Sequence, residues 1–191
     1  SGRHFVMIGM ITTIMTIDKS DLRSHETAMS FVKLDKRDIA VLSILSREGR
    51  IAKSALADKV NLSPTACGER RARLESAGII TGYQAHVALR RIAPHVTVFV
   101  QAELGNHRAE AFQRFEAVIA QHDEIVQCWA LGGGFDYLLQ VVTRDIDSYQ
   151  RLMDALLDQQ AGLTRYFTYV VTKSVKSAPV PLSLLLPEDE S

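Results

Sequence analysis

The chain has 191 residues, 22 basic and 22 acidic side chains, a formal net charge of zero, and 47% apolar against 23% charged residues. That is chain enough for one large domain or two small ones, and the balance excludes disordered, collagen-like and disulfide-scaffold classes. Two cysteines, Cys67 and Cys128, lack zinc-site spacing and are expected as small buried hydrophobes in a reducing, cytoplasmic setting.

The zero sum conceals a division. Residues 34–82 carry nine basic and six acidic side chains, whereas residues 83–191 carry nine and thirteen. A mildly basic module followed by an acidic one implies a division of labour along the chain.

The apolar run His4–Ile17 is too short to span a bilayer as a helix, and no small-residue cleavage site follows it. Residues 1–33 are read as an extension, in part foreign to the native chain, with Met29 a candidate native start. Asp35 then caps a helix with Ile39, Val41, Leu42 and Leu45 at helical spacing, closed near Gly49. A second helix over 53–60 puts Leu56, Ala57 and Val60 on one face, and Asn61 suits the left-handed conformation of a tight corner. Ser63 caps a third helix, Pro64 takes its first position and Gly78 stops it. Three helices with a short corner between the last two form the helix-turn-helix plan. "IITGYQAHV" beyond it reads as a strand leading into a connector over 83–95.

From residue 96 the period changes. "VTVFVQAEL" alternates as a strand, and residues 107–121 put Ala111, Phe112, Phe115, Val118 and Ile119 on one helical face. Strands over 125–132 and 136–143 flank the turn "GGGF". An amphipathic helix over 146–160 clusters Tyr149, Leu152, Met153, Leu156 and Leu157, and a strand over 164–175 closes the unit. The order βαββαβ is ferredoxin-like, with both helices on one sheet face. The other face has no cover within residues 96–176, so a second copy of the chain is expected there. The tail 177–191 is expected to lay Leu182 and Leu184–Leu186 on that surface before an acidic end.

On the third helix, Thr65, Gly68, Glu69, Ala72 and Ser76 lie opposite the stripe of Cys67, Arg71 and Leu74. N-terminal residues of such a helix reach base edges, so Ser63, Pro64, Thr65, Gly68 and Glu69 are candidates for contact with double-stranded DNA. Glu69 suits a cytosine amino group, and Arg70 and Arg73 at the flank suit phosphates. The alternative is a plain charged helix with Glu69–Arg73 and Arg71–Glu75 pairs.

Residues 34–87 and the later "GGGFDYLLQV" and "RYFTYVVTKSVK" resemble the Lrp/AsnC (feast/famine) family of transcriptional regulators. The likeness rests on Leu34, Asp35, Asp38, Gly49, Arg50, Leu62, Ser63, Pro64, Arg70, Arg73, Gly78 and Tyr83 among others. It implies an α+β protein: a winged helix-turn-helix domain over 34–82, then a ferredoxin-like effector and assembly domain over 96–176. It also implies a homodimer assembling to an octamer, operator DNA as partner, and an amino-acid-like effector in a cleft between dimers. Carried over, the effector residues are Gly132, Gly133, Gly134, Phe135 and Asp136 with Tyr169, Val170 and Val171. Asp136 would take an ammonium and the glycine amides a carboxylate.

Three positions depart from the family pattern. Arg71 stands at an apolar core position, where its stem would snorkel past Leu74. Gly68 and Glu69 stand where bulkier or basic residues are usual, and Gly134 replaces an acid. His86, His95, His107 and His122 show no metal spacing, and no nucleophile sits beside a base, so no metal, cofactor or catalytic residue is expected. Two alternatives stay open: a siroheme-decarboxylase-like enzyme of this fold using His86 and His95, and an assembly module without specific DNA recognition.

Overall fold

In the computed structural model, residues 32–159 and 161–186 are described. The expectations for the apolar N-terminal run, for Met29 and for the acidic C-terminal end lie outside the described residues. The chain divides into two compact units, one of residues 32–86 with 176–186 and one of residues 87–175.

The first unit holds α1 (Lys36–Leu45), α2 (Lys53–Lys59) and α3 (Pro64–Ser76). At the start of α1 the Asp38 backbone N–H donates to Asp35 Oδ1 at 2.8 Å, and the Asp35 N–H donates to Asp38 Oδ2 at 3.0 Å. This reciprocal cap satisfies two backbone donors that a helix start leaves orphaned. α1 gives way to turns at Ser46, ahead of Gly49. The corner between α2 and α3 turns at Asn61, whose φ of 52° is the left-handed value expected of it. Ser63 Oγ accepts from the Ala66 N–H at 3.2 Å, Pro64 holds the first position, and Gly78, at φ 69°, lets the chain leave α3. Val41, Leu42, Leu45, Leu56, Ala57, Val60, Cys67 and Leu74 form the core between the three helices.

Two expectations for this unit change. Residues 79–88 form no strand. The Ile79 and Ile80 N–H groups both donate to the Leu74 carbonyl, at 3.0 and 3.2 Å, which winds the chain back onto α3 and leaves those donors unavailable to a ladder. The tail does not put Leu182 on the sheet. Leu182 packs against the core of this helical unit, in a cleft of about 240 Å³ shared with Leu42, Leu45, Ile79, Ile80 and Tyr83. Leu184 and Leu185 are exposed. One leucine fits the gap between α1 and the returning chain, and its neighbours have no such gap.

The second unit runs β1 (Val96–Leu104), α4 (Ala109–Ile119), β2 (Ile125–Ala130), β3 (Tyr137–Thr143), α5 (Ile146–Asp158) and β4 (Leu163–Val170). The sheet order is β2-β3-β1-β4, with every neighbouring pair antiparallel. Val98, Val100, Ala102 and Leu104 of β1 and Tyr137, Leu139 and Val141 of β3 bury one face against the helices. Phe115 and Ile119 of α4, and Tyr149, Leu152, Met153 and Leu156 of α5, fill the space between. Leu157, expected among them, is exposed, as is Cys128 on the edge strand β2. Partial burial and the Glu116 carboxylate nevertheless push the Cys128 thiol up to about 11.

The opposite face carries Phe99, Leu138, Trp129, Phe167 and Tyr169. The register sets Trp129 beside Leu138 and Tyr169 beside Phe99. Trp129 is 41% and Tyr169 51% exposed, so no other part of the described chain covers these rings.

Removing the Leu182 side chain (Leu182→Ala) should lower the stability of the helical unit by about 1 kcal/mol, as for a partly buried large-to-small change. Leu185→Ala should stay within about 0.5 kcal/mol of the parent. Thermal unfolding of the full chain followed by circular dichroism distinguishes the two; equal effects would mean that the tail is not seated.

Candidate functional site

α3 meets the rest of its unit through Cys67 and Leu74, both buried, two turns apart on one face. The 100° step per residue then places Thr65, Glu69, Ala72 and Ser76 on the opposite side, and all four are exposed. Gly68 and Arg71 lie on the flank toward α2 and Tyr83, while Ala66, Arg70 and Arg73 lie on the flank toward α1.

On the α1 flank, Arg70 Nη1 donates to Asp35 Oδ2 at 2.6 Å and to Asp38 Oδ1 at 2.9 Å, and Arg73 Nη2 donates to Asp38 Oδ2 at 2.5 Å. Asp38 is 1% exposed. Arg70 and Arg73, expected to hold phosphates, are thus engaged inside the domain. Their reason is local: the α1 cap brings a carboxylate into the interior, and a buried carboxylate demands cations. Burial pushes the Asp38 carboxyl up, but hydrogen bonds from Arg73, the Asp35 backbone and Arg70 outweigh it and hold the group down at about 2. Asp35 is lowered as well, first by the Asp38 backbone N–H and then by Arg70.

The other flank also differs from expectation. Arg71 does not thread the core: its Nε lies 3.3 Å from Glu75 Oε1, and its guanidinium stands 6.0 Å from the Tyr83 ring centroid. The Tyr83 hydroxyl donates to the same Glu75 oxygen at 2.7 Å. The Arg71–Glu75 pair read from the sequence therefore forms, whereas Arg73 turns to Asp38 rather than to Glu69. Glu69 has no partner among the described residues.

In the second unit, the turn over 131–136 is closed by the Leu131 N–H donating to the Asp136 carbonyl at 2.7 Å. Gly132, Gly133 and Gly134 stand in open space. The Phe135 ring meets Phe167 edge-on at 5.5 Å, with the Arg165 guanidinium 5.8 and 5.6 Å from the two centroids. Asp136 is tied on three sides. Its N–H donates to the Ala102 carbonyl at 3.0 Å, its Oδ2 accepts from the Leu104 N–H at 2.7 Å, and its Oδ1 lies 3.2 Å from His107 Nε2. The other half of the expected effector site is elsewhere in the chain. Tyr169 and Val170 pair with Phe99 and Val98, three and four residues along β1 from Ala102, or about 10 Å and more away. Within one chain the glycine turn adjoins Arg165 and Phe167, not Tyr169–Val171.

Two family models match the chain: a winged helix-turn-helix DNA-binding domain over residues 34–81 and the Lrp/AsnC ligand binding domain over residues 97–181. A transcriptional regulatory protein, DoeX, of Halomonas elongata is 48% identical over 153 residues, covering 80% of this chain and 97% of the relative. The chain belongs to the Lrp/AsnC family. The leucine-responsive regulatory protein of Salmonella typhimurium is 36% identical over 145 residues, covering 76% of this chain and 88% of that protein. Among solved structures, a transcriptional regulator of Neisseria meningitidis in complex with L-Met superposes with a TM-score of 0.75 at 30% identity, covering 81% of this chain and all of its own. An AsnC-family regulator from Agrobacterium tumefaciens gives 0.74 at 29% identity, covering 80% of this chain.

Membership makes the chain a transcriptional regulator and not an enzyme, and the decarboxylase alternative falls with its His86 and His95. His95 is occupied locally, its Nδ1 3.2 Å from the Ala93 carbonyl. Sequence reasoning also missed a neighbour in the helix-turn-helix domain: Lys53 belongs to α2, but its ammonium lies beside Gly68 of α3. The signal was available only as the glycine itself, a poor helix former with no evident reason to stand mid-helix.

Replacing Asp38 by Ala should cost about 2–3 kcal/mol, because it removes a charge-assisted network and leaves Arg73 unpaired. Since the folded-state value of Asp38 is depressed, its contribution is complete above the ordinary carboxylate value of 3.8 and is lost as pH falls toward about 2. Denaturant titrations of parent and Asp38→Ala at pH 7, pH 3 and pH 1.5 should therefore show a gap reduced to about half at pH 3 and nearly closed at pH 1.5; a constant gap would assign the effect to packing.

Proposed function

We propose that this regulator reads operator DNA with the exposed face of α3 as a cytoplasmic homodimer, needs no cofactor, and answers to an amino acid or a close relative. The observation that carries the DNA reading is the division of labour on α3. One flank is spent on anchoring to α1, so Thr65, Glu69, Ala72 and Ser76 are presented at a fixed angle with Glu69 unpaired. Ser63 and Pro64 fix where that face begins, and Gly68 keeps its flank low. A carboxylate without an internal partner suits the exposed amino group of a cytosine in the major groove. With Arg70 and Arg73 engaged, their nearness to phosphates becomes a matter of their remaining guanidinium nitrogens, and the anchoring role comes first.

For the effector, the separation of the glycine turn from Tyr169–Val171 within one chain supports a site completed by another. The turn Gly132–Phe135 with Asp136 would come from one subunit and Tyr169, Val170 and Val171 from a neighbour. Asp136 offers an ammonium a carboxylate already shared with His107, so a ligand must displace or join that contact. The Neisseria relative's complex with L-Met supports an amino acid as the class. The apolar face of Phe99, Trp129, Leu138, Phe167 and Tyr169 supports pairing of two sheets, and an octamer of four dimers follows from the family.

Sequencing duplexes retained by the purified protein from a random pool tests the DNA reading. Glu69→Ala should then relax preference at one base position by about 1–3 kcal/mol and leave the others unchanged; an unchanged motif would remove Glu69 from the readout. Phe167→Asp places a charge on the sheet face and should shift the mass in light scattering to that of one chain. A parent-like mass would locate the interface elsewhere. Asp136→Asn should abolish the heat of binding of the responsive amino acid in calorimetry, and parent-like affinity would make Asp136 a turn cap alone.

A further inference from the structure

Gly68 sits on the α2 flank of α3, partly exposed, in the middle of a thirteen-residue helix. A β-carbon built there would lie 2.5 Å from Lys53 Cε and 2.7 Å from Lys53 Nζ, closer than real β-carbons come to any neighbour. The flexible end of the Lys53 side chain thus lies in the volume a β-carbon at position 68 would need, and it would have to swing aside to admit one. Lys53 itself is exposed, and it has no ion pair or hydrogen bond among the described residues. The nearest acidic groups of α3 are spoken for or turned away: Glu75 is held by Arg71 and Tyr83, and Glu69 lies a further 100° around the helix. Every other basic side chain of α3 is paired within the domain. The ammonium that lies free along the recognition helix is supplied by α2.

We infer that Gly68 is a notch that lays the Lys53 ammonium along the flank of α3, where it contacts a phosphate of the operator backbone. The inference rests on the DNA reading above and adds to it a cation on the α2 flank of α3. When the second helix of a helix-turn-helix enters the major groove, the first crosses the sugar–phosphate wall. A lysine reaching from the first helix across the flank of the second lies at that wall. An ammonium is a compact charge without the planar fork that reads guanine, so the contact positions the protein rather than reading sequence. The position also explains why Glu69 is tolerated at the centre of the exposed face, since a cation one flank away offsets its repulsion of phosphates.

The inference is tested on the full chain with a mixed-sequence duplex of about 30 base pairs, long enough for two half-sites a helical turn apart. Binding is measured against salt for the parent, Lys53→Ala, Gly68→Ala and the double variant. Lys53→Ala should lower the slope of log K against log salt by about one per subunit and weaken binding on the order of five- to tenfold at 0.1 M salt. Gly68→Ala pushes the lysine aside, so it should weaken binding in the same direction while raising the thermal midpoint, because alanine is the better helix former. The double variant should bind as Lys53→Ala alone does. Parent-like affinity and slope in Lys53→Ala, with the parent itself binding, would overturn the inference and leave the DNA reading standing. An equal loss from Gly68→Ala with and without Lys53 would also overturn it, since the glycine would then serve clearance to DNA. A parent that retains no duplex at any salt concentration would overturn the DNA reading and this inference with it.

Discussion

A single buried carboxylate governs the DNA-binding unit. Asp38 is carried into the interior by the cap that starts α1, and once there it can be ionised only if cations follow. Arg70 and Arg73, one turn apart on α3, are those cations. The requirement fixes the rotation of α3 about its own axis: with two guanidinium groups held toward α1, Thr65, Glu69 and Ala72 must face outward. A hydrophobic contact alone would tolerate some rolling of so short a helix. Cys67 and Leu74 supply the burial, and the ion network supplies the angle.

The helical plan was legible in the sequence because its punctuation is local. Asp35, Ser63, Pro64, Asn61 and Gly78 each act within a few residues, and each does in the structure what its chemistry suggests. The alternation of β1 and β3 was legible for the same reason. What stayed hidden is whatever depends on who arrives from elsewhere. Nothing in the sequence tells that Asp38 engages Arg70 and Arg73 until α1 is placed beside them. Residues 79–87 alternate like a strand, yet the Leu74 carbonyl claims their first two donors. Leu182 reads as an apolar tail residue bound for the sheet face, and the gap between α1 and Ile79–Tyr83 takes it instead. Cys128 sits at a strand edge that periodicity cannot distinguish from a covered one.

The residues proposed for the effector are named by resemblance as a set, and the sequence does not say where they lie. Resemblance named Gly132–Asp136 and Tyr169–Val171 together, and the register of β4 on β1 holds them apart. The antiparallel ladder leaves no freedom to close that distance, since a slip of one residue would turn Phe167 and Tyr169 to the helix face. A site that uses both halves therefore needs two chains. The face of Phe99, Trp129 and Leu138 lies on the same sheet, so assembly and ligand binding, in the reading proposed above, draw on neighbouring parts of one surface.

Asp136 is where these two roles meet. Its carboxylate holds the N–H of Leu104, the last residue of β1, and its backbone holds Ala102. β1 is the strand between β3 and β4 that carries Phe99 and Gln101 toward the uncovered face. In the reading proposed above, an ammonium that draws the carboxylate from His107 or Leu104 would act directly on the end of that strand. A ligand shifts an equilibrium only through contacts that differ between states, and the Leu104 N–H, satisfied by Asp136, would be such a contact. Were the turn acid a solvated cap, occupancy would change little beyond the turn. Bound as it is to β1, Asp136 would, in the reading proposed above, make the strand end the first element to register a ligand.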